Sequence, residues 1–433
     1  MRSPSMMLNY HQGRDAMQYA KSIAALLICG ASAFFSSVTL GFEINPCLRV
    51  LVYNPNYLDA DSIRFWNACR WSSALKDIKN GKYFKGTVHE HMTNFSIDEY
   101  KGTGFLVTVA QRSASEKNRD LKFNFMAEKS WKKPGSASEH NTYAIMFGSW
   151  WNDDPLMYSW GQGRDFIGGL DSIKQQFDPK THLYACGVAK CWLQAKDHLG
   201  WNSHYGTLQH LHFMTSQPAR VGESVRVAET TRLALVWIKF AYSVATGDRK
   251  ADSQLTTLDE KQLNLPSIAL NYDLKDPANA KVRTLFARPQ AGNAELRNIR
   301  TPDVALGSIL HILQDSFSPA HTCRKEQYVD GEHFAVLTQV YNFNEQVHSV
   351  DGELDHSLND RFPGWLLTYA RNRQHVYGND PILVGRWMIE AVDRKTEWKD
   401  VEGYLRATIF RQQSNVIGDN SACIGKRAVN PVI

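Results

Sequence analysis

The chain has 433 residues, 43% of them hydrophobic and 21% charged. Those proportions suit a globular protein with a sizeable core and exclude a disordered chain. The net charge of +5 permits attraction to phosphates or an anionic membrane but is too small to demand either.

In chain order, Arg14 and Lys21 precede an apolar stretch from Ile23 to Gly30, followed by Ala31, Ser32 and Ala33. A charged flank, a short hydrophobic run and an Ala-x-Ala pattern predict a secretory signal over residues 1–33, with an uncleaved anchor as the alternative. The mature chain, 34–433, then reads as a single domain. Six cysteines remain after Cys29: Cys47, Cys69, Cys186, Cys191, Cys323 and Cys423. An even count in an exported protein predicts disulfides, and Cys186 and Cys191 are close enough for a local bridge. Residues 44–80 mix short apolar runs with Asn, Asp and Pro and read as a surface wrap. Within 95–148, Gly104–Val109 and Thr142–Phe147 read as strands around a Lys-, Ser- and Gly-rich insertion. From 205 onward helical periods strengthen. Helices are predicted over 225–245, 303–318, 331–347, 355–371 and 381–411, with a polar excursion at 247–300. The expectation is a mainly α-helical domain with irregular or short-strand decorations on its N-terminal side.

The chemistry concentrates between Leu310 and His321. His311 and Asp315 stand four residues apart, so on a helix they share a face with Cβ atoms roughly 5–6 Å apart. Pro319 cannot continue that helix, so the chain bends and can return His321 towards the same place. His356 and Asp360 repeat the four-residue spacing. Imidazole and carboxylate are suitable zinc ligands at roughly 2.0–2.2 Å.

This pattern of His, Asp and a proline-preceded His, followed by a second His/Asp pair, resembles the zinc-dependent phospholipase C and P1/S1 nuclease superfamily. Trp150-Trp151-Asn152-Asp153-Asp154 resembles the family's tryptophan-rich motif, and Leu211-His212-Phe213 its Leu-His-aromatic segment. The likeness covers roughly residues 150–365. The resemblance implies one zinc on Asp153, His212, His311 and Asp315, and another on His321, His356 and Asp360. Asp154 and His210 compete for the upstream roles. Asp315 would bridge to a third zinc, which in the family is held by the mature N-terminal tryptophan and a nearby His. Val88-His89-Glu90-His91 resembles that element, with His89 the better match. The chain departs from the family here, because the predicted mature residue is Phe34. The gap from His321 to His356 is also longer than the family's, which implies an inserted loop over 324–350.

Zinc lowers the pKa of bound water towards neutrality, and a metal pair roughly 3.5–4 Å apart can clamp a phosphodiester. The resemblance therefore implies a secreted zinc phosphodiesterase with three zinc ions, or at least two, and Asp153 to orient or deprotonate the water. Phospholipid at a membrane surface is the favoured substrate, single-stranded nucleic acid the alternative, and no obligate protein partner is implied. Delivery into a target cell is compatible with either substrate. Arg324 could pair with phosphate, Phe213 could stack a base, and Trp150, Trp151 and Trp160 could line a lipid or base pocket. A purely structural zinc would be saturated by protein ligands, whereas three ligands at His321, His356 and Asp360 leave a position open.

Overall fold

The computed structural model describes residues 88–102, 130–153 except 135 and 137, 199–255, 280–287, 294–346 except 330, and 363–412, together with Pro155, Leu263, Asn359 and Cys423. The signal region, Gly104–Val109, Asp154, Trp160, Cys186, Cys191, His356 and Asp360 lie outside these. The described part is mainly helical, and its organising element is a long helix that ends at the His311/Asp315 pair.

The first described helix, α1 (Val88–Lys101), buries nearly every side chain. A two-residue ribbon, β1 (Ser130–Trp131) against β2 (His140–Asn141), leads into α2 (Thr142–Gly148). Residues 142–147 are thus helical and not a strand as their Tyr, Ile and Phe content suggests. Asn141 caps the helix by accepting a hydrogen bond from the Ala144 amide, and all seven residues of α2 are buried. Tertiary burial and a good cap override β propensity here. Far from decorating the edge, α1 and α2 are core elements.

Next come α3 (Leu199–His204), a 3-10 turn at Gln209–His212, and α4 (Glu223–Ala245). The expected excursion after α4 is partly core: α5 (Val282–Phe286) buries Val282, Leu285 and Phe286. The central helix α6 (Ala294–Asp315) begins about two turns earlier than the sequence suggests and runs through Pro302. It contacts α2 and α4, and also the later helix α8 (Pro381–Arg394). Its closest approach is to α2, where Gly148 and Gly307 meet backbone to backbone. A Cβ built on Gly307 would stand 2.5 Å from Gly148 Cα.

The stretch 331–347, expected as helix, is instead half of an antiparallel hairpin. Strands β3 (Thr322–Val329) and β4 (Glu332–Val340) pair around Gly331, whose φ of 85° suits a residue without a Cβ. From Phe334 to Val340 every residue of β4 is buried, so the period-2 alternation that marks a half-exposed strand is absent. The segment expected as an inserted loop is therefore largely this hairpin. Cys323 at its base forms a disulfide with Cys423, tying the C-terminal segment to β3. Helix α7 (Gly364–Asn372), α8 and α9 (Trp398–Ala407) complete the described fold. Asp380 caps α8 through the Ile382 and Leu383 amides. Among the described residues, no helix is long and apolar enough to cross a membrane.

Candidate metal centre

Helix α6 delivers His311 and Asp315 on one buried face, with His311 Nε2 2.8 Å from Asp315 Oδ2. The helix stops at Asp315. The following turn, closed by hydrogen bonds from Ser318 N to Asp315 O and from His321 N to Ser318 O, carries Pro319 and brings His321 back. His321 Nδ1 lies 3.4 Å from Asp315 Oδ2. The 3-10 turn brings His212 Nδ1 to 2.9 Å from that oxygen. It can do so because Phe213 adopts a left-handed backbone, φ 49°, and stacks its ring on Phe410. Helix α1 adds His89, whose Nε2 is 3.4 Å from Asp315 Oδ1 and whose ring stacks on His311 at 4.2 Å. His91, its competitor, is buried beside Phe95. His210, the competitor of His212, is buried, and burial lowers its pKa to about 4.

The tryptophan motif places Asp153. Trp150 donates to Glu90 and Trp151 to the Leu285 carbonyl. Asn152 donates to Leu211 O and accepts from the Ser308 hydroxyl. The turn after α2 is thereby held to α1, α5, α6 and the 3-10 turn, and the buried Asp153 carboxylate faces the histidines. Its oxygens are 3.8 Å from His212 Nδ1 and 3.9 Å from His311 Nδ1. His204, at the end of α3, also faces Asp153, with 4.0 Å from Nε2 to Oδ1. His204 has no four-residue partner in the sequence; its only advance signal is its place eight residues before His212.

Two groups could each hold a metal ion: His89, His311 and Asp315, and Asp153, His204 and His212. Each group takes two of the four residues expected on one zinc, and those four stay close: His212 Nδ1 is 2.9 Å from Asp315 Oδ2 and 3.0 Å from His311 Nε2, with Asp153 3.8 and 3.9 Å from the two histidines. The two groups touch through His212 and Asp315.

Hydrogen bonding fixes which ring atoms face inward. His311 Nδ1 donates to Ser149 O at 2.6 Å, His321 Nδ1 to His212 O at 2.8 Å, and His204 Nδ1 to Gly200 O at 3.0 Å. His89 Nδ1 donates to Gln314 Oε1 at 2.6 Å, while the Gln314 amide donates to Thr93 and so fixes its orientation. Metal-ligating histidines characteristically spend their second nitrogen in this way. Burial holds the pKa of His311 and of His321 down to about 3, and lowers those of His89 and His212, where neighbouring imidazoles push the same way. These rings are therefore neutral at pH 7. Neutral His311 then points the Nε2 lone pair at an oxygen of Asp315. Two acceptors 2.8 Å apart repel unless a cation or a proton lies between them. Burial alone raises the Asp315 pKa, so without a metal its carboxyl tends to hold the proton. Asp315 Oδ1 and His212 Nε2 take no hydrogen bond among the described residues. Tetrahedral ligands at roughly 2.1 Å from one ion stand about 3.4 Å apart. The separation of His89 Nε2 from Asp315 Oδ1 matches that. The donor set is one that could hold a metal ion.

Other expected participants have different work. Arg324 is buried, and burial lowers its pKa. It donates to the carbonyls of Ser316, Ala335 and Ile409 and to the Ser316 hydroxyl, over the Phe317 ring. It braces the turn that carries His321 and is not available to a phosphate. Phe213 is buried on Phe410 and cannot stack a base. Trp150 and Trp151 are core residues, the latter stacked on Trp237 at 4.7 Å.

The fold and the site define a mainly helical protein with buried His/Asp groups able to hold metal ions. No protein-family model, curated protein or solved structure matches the chain.

Proposed function

We propose that this protein is an exported zinc-dependent phosphodiesterase, a phospholipase C that splits a glycerophospholipid such as phosphatidylcholine into diacylglycerol and a phosphorylated headgroup. The observation that carries the reading is the Asp315 side chain ringed by four imidazoles, with His311 Nε2 2.8 Å from one of its oxygens. His89, His311 and Asp315 would hold one ion, and Asp153, His204 and His212 a second. His321 would serve a further position with His356 and Asp360, as the resemblance implies. Bound zinc supplies Lewis acidity at a phosphoryl oxygen and a nucleophile near pH 7. Asp153 would accept a hydrogen bond from the attacking water and aim it. The water oxygen joins phosphorus, the bond from phosphorus to the glycerol oxygen breaks, and that oxygen leaves with a proton. Phe213 is buried, so it gives the nucleic-acid substrate no advantage over lipid.

Zinc-loaded protein and its Asp315→Asn variant, assayed on phosphatidylcholine vesicles and on single-stranded DNA, test this. The expected result is release of phosphocholine, with the variant at least about a hundredfold slower. Cleavage of DNA alone would replace the lipid reading with the nuclease one. Failure on both substrates, full activity in the variant, or less than one zinc per chain in unchelated protein would reject the zinc phosphodiesterase.

A further inference from the structure

A second site stands on the outer face of α4. Arg232, Leu235, Val236, Lys239 and Ser243 recur at helical spacing along that helix and line a cavity of about 410 Å³. The far wall is α9, which contributes Trp398, Glu402 and Arg406 at four-residue intervals. The segments flanking α9 are tied to α4. Tyr242 donates to the carbonyls of Ala391 and Thr396 at one end, and Gln412 donates to the Thr231 hydroxyl at the other. None of the lining residues belongs to the metal centre. The opposite face of α4 touches α6 through the bond from Trp237 to Ser308.

The lining has two chemistries. Its floor is apolar, with Leu235, Phe240 and Leu263 buried. Among the described residues its rim carries Arg232, Lys239, Arg249 and Arg406, with Glu402 beside them. Two of these cations are held in place. Glu229 grips Arg232 through two hydrogen bonds of 2.8 Å. Glu402 accepts from Arg406 at 2.9 Å and from the Trp398 indole at 3.1 Å, so one carboxylate splints an arginine and an aromatic wall together. Lys239 has no carboxylate partner among the described residues. Glu229 and Glu402 offset Arg232 and Arg406, so Lys239 is the cation to which an entering anion would bring a charge partner. The volume is that of a small-molecule site, in which an apolar lining takes the ligand body and a few charged groups fix its orientation.

We propose that this cavity binds a phosphate monoester with an apolar or aromatic body. The phosphate sits among Lys239 and the arginines, and the body lies on Phe240 and Trp398. Arginine and lysine are both established phosphate partners, the former through its planar fork. Such a ligand is either a soluble ester or the headgroup of an anionic lipid.

Calorimetry with inorganic phosphate and with phenyl phosphate tests the site on the full protein. Lys239→Glu is compared with Lys399→Glu, the same charge change at an exposed residue of α9 that does not line the cavity. Phenyl phosphate should bind more tightly than inorganic phosphate. Lys239→Glu should weaken it by about tenfold or more, with Lys399→Glu unchanged. Phosphate held at the metal centre is indifferent to Lys239, so only the Lys239-dependent binding counts. Phosphatidylcholine vesicles with and without phosphatidic acid form the second arm. Sedimentation that needs both phosphatidic acid and Lys239 assigns the phosphate to a lipid; its absence, with phenyl phosphate still bound, assigns it to a soluble ester. Equal binding by wild type and Lys239→Glu, or equal weakening by the two variants, would overturn the proposal.

Discussion

Replacing Gly307 by Ala tests how the fold aims the metal centre. A Cβ at 307 would meet Gly148 Cα at 2.5 Å, and one at 148 would meet Gly307 Cα at 2.8 Å. Comfortable carbon contacts are about 3.5 Å or more, so α2 and α6 would have to part by about 1 Å. Overpacking of this kind costs roughly 1–3 kcal/mol, and backbone on both sides of the contact places it at the upper end. The consequence for the site follows from position. Gly307 is one turn before His311, and Gly148 immediately precedes Ser149, whose carbonyl takes the His311 Nδ1 proton at 2.6 Å. Parting the helices by about 1 Å carries that bond beyond hydrogen-bonding range and frees the ring to rotate. Zinc affinity should then fall about 10- to 100-fold, as when an orienting partner of a ligand histidine is removed. Urea unfolding and zinc competition against a chromophoric chelator read the two effects separately. Gly403→Ala is the control: it is helical with no atom within 4 Å of a new Cβ, and should gain roughly 0.5–1 kcal/mol. Wild-type stability in Gly307→Ala would refute the packing argument. Lost stability with unchanged zinc affinity would refute the coupling from the glycine contact to His311.

Two further outcomes follow from side-chain networks. Gln314→Ala removes the acceptor that holds His89 Nδ1, and should weaken zinc binding about 10-fold or more, whereas Gln314→Glu, which keeps an acceptor there, should retain most of it. Burial opposes a charge on His140, but Asp303 and Asp393, each at 2.7 Å, outweigh it and raise the pKa to about 10. A raised pKa means stability fully present below about pH 6.5 and lost as pH rises through about 10, of order 5 kcal/mol in all. Urea unfolding between pH 6 and 10.5 should show that alkaline loss in wild type and not in His140→Gln.

The sequence carries the metal centre unevenly, for physical reasons. His311 and Asp315 are legible because helical periodicity alone puts them on one face, and His321 because a proline forces the bend. His204 and Gln314 are not. The first lies in a six-residue helix and reaches Asp153 only after the 3-10 turn has placed His212 beside it. The second is a neutral amide whose role exists only once α1 delivers His89. The errors in secondary structure have one cause in common. Thr142–Phe147 and Phe334–Val340 are buried throughout, so the alternation that separates strand from helix is missing from both. Local composition then favoured the wrong element in each.

The same burial sets the energetics of the site. Its candidate ligands come from four stretches of chain, around 89, 153, 204–212 and 311–321, so they meet only after the core has formed. Once met, they place neutral imidazoles and two acidic side chains in a buried space, where without a metal the Asp315 proton lies between its own oxygen and His311 Nε2. An apolar core would gain by replacing those groups, since each buried polar atom left unsatisfied costs roughly 1–3 kcal/mol. On the proposed function a divalent cation would offset that cost, displacing the Asp315 proton and taking both lone pairs as ligands. Metal affinity at this site would then rise with pH, because the ion must displace the proton that Asp315 holds in its absence.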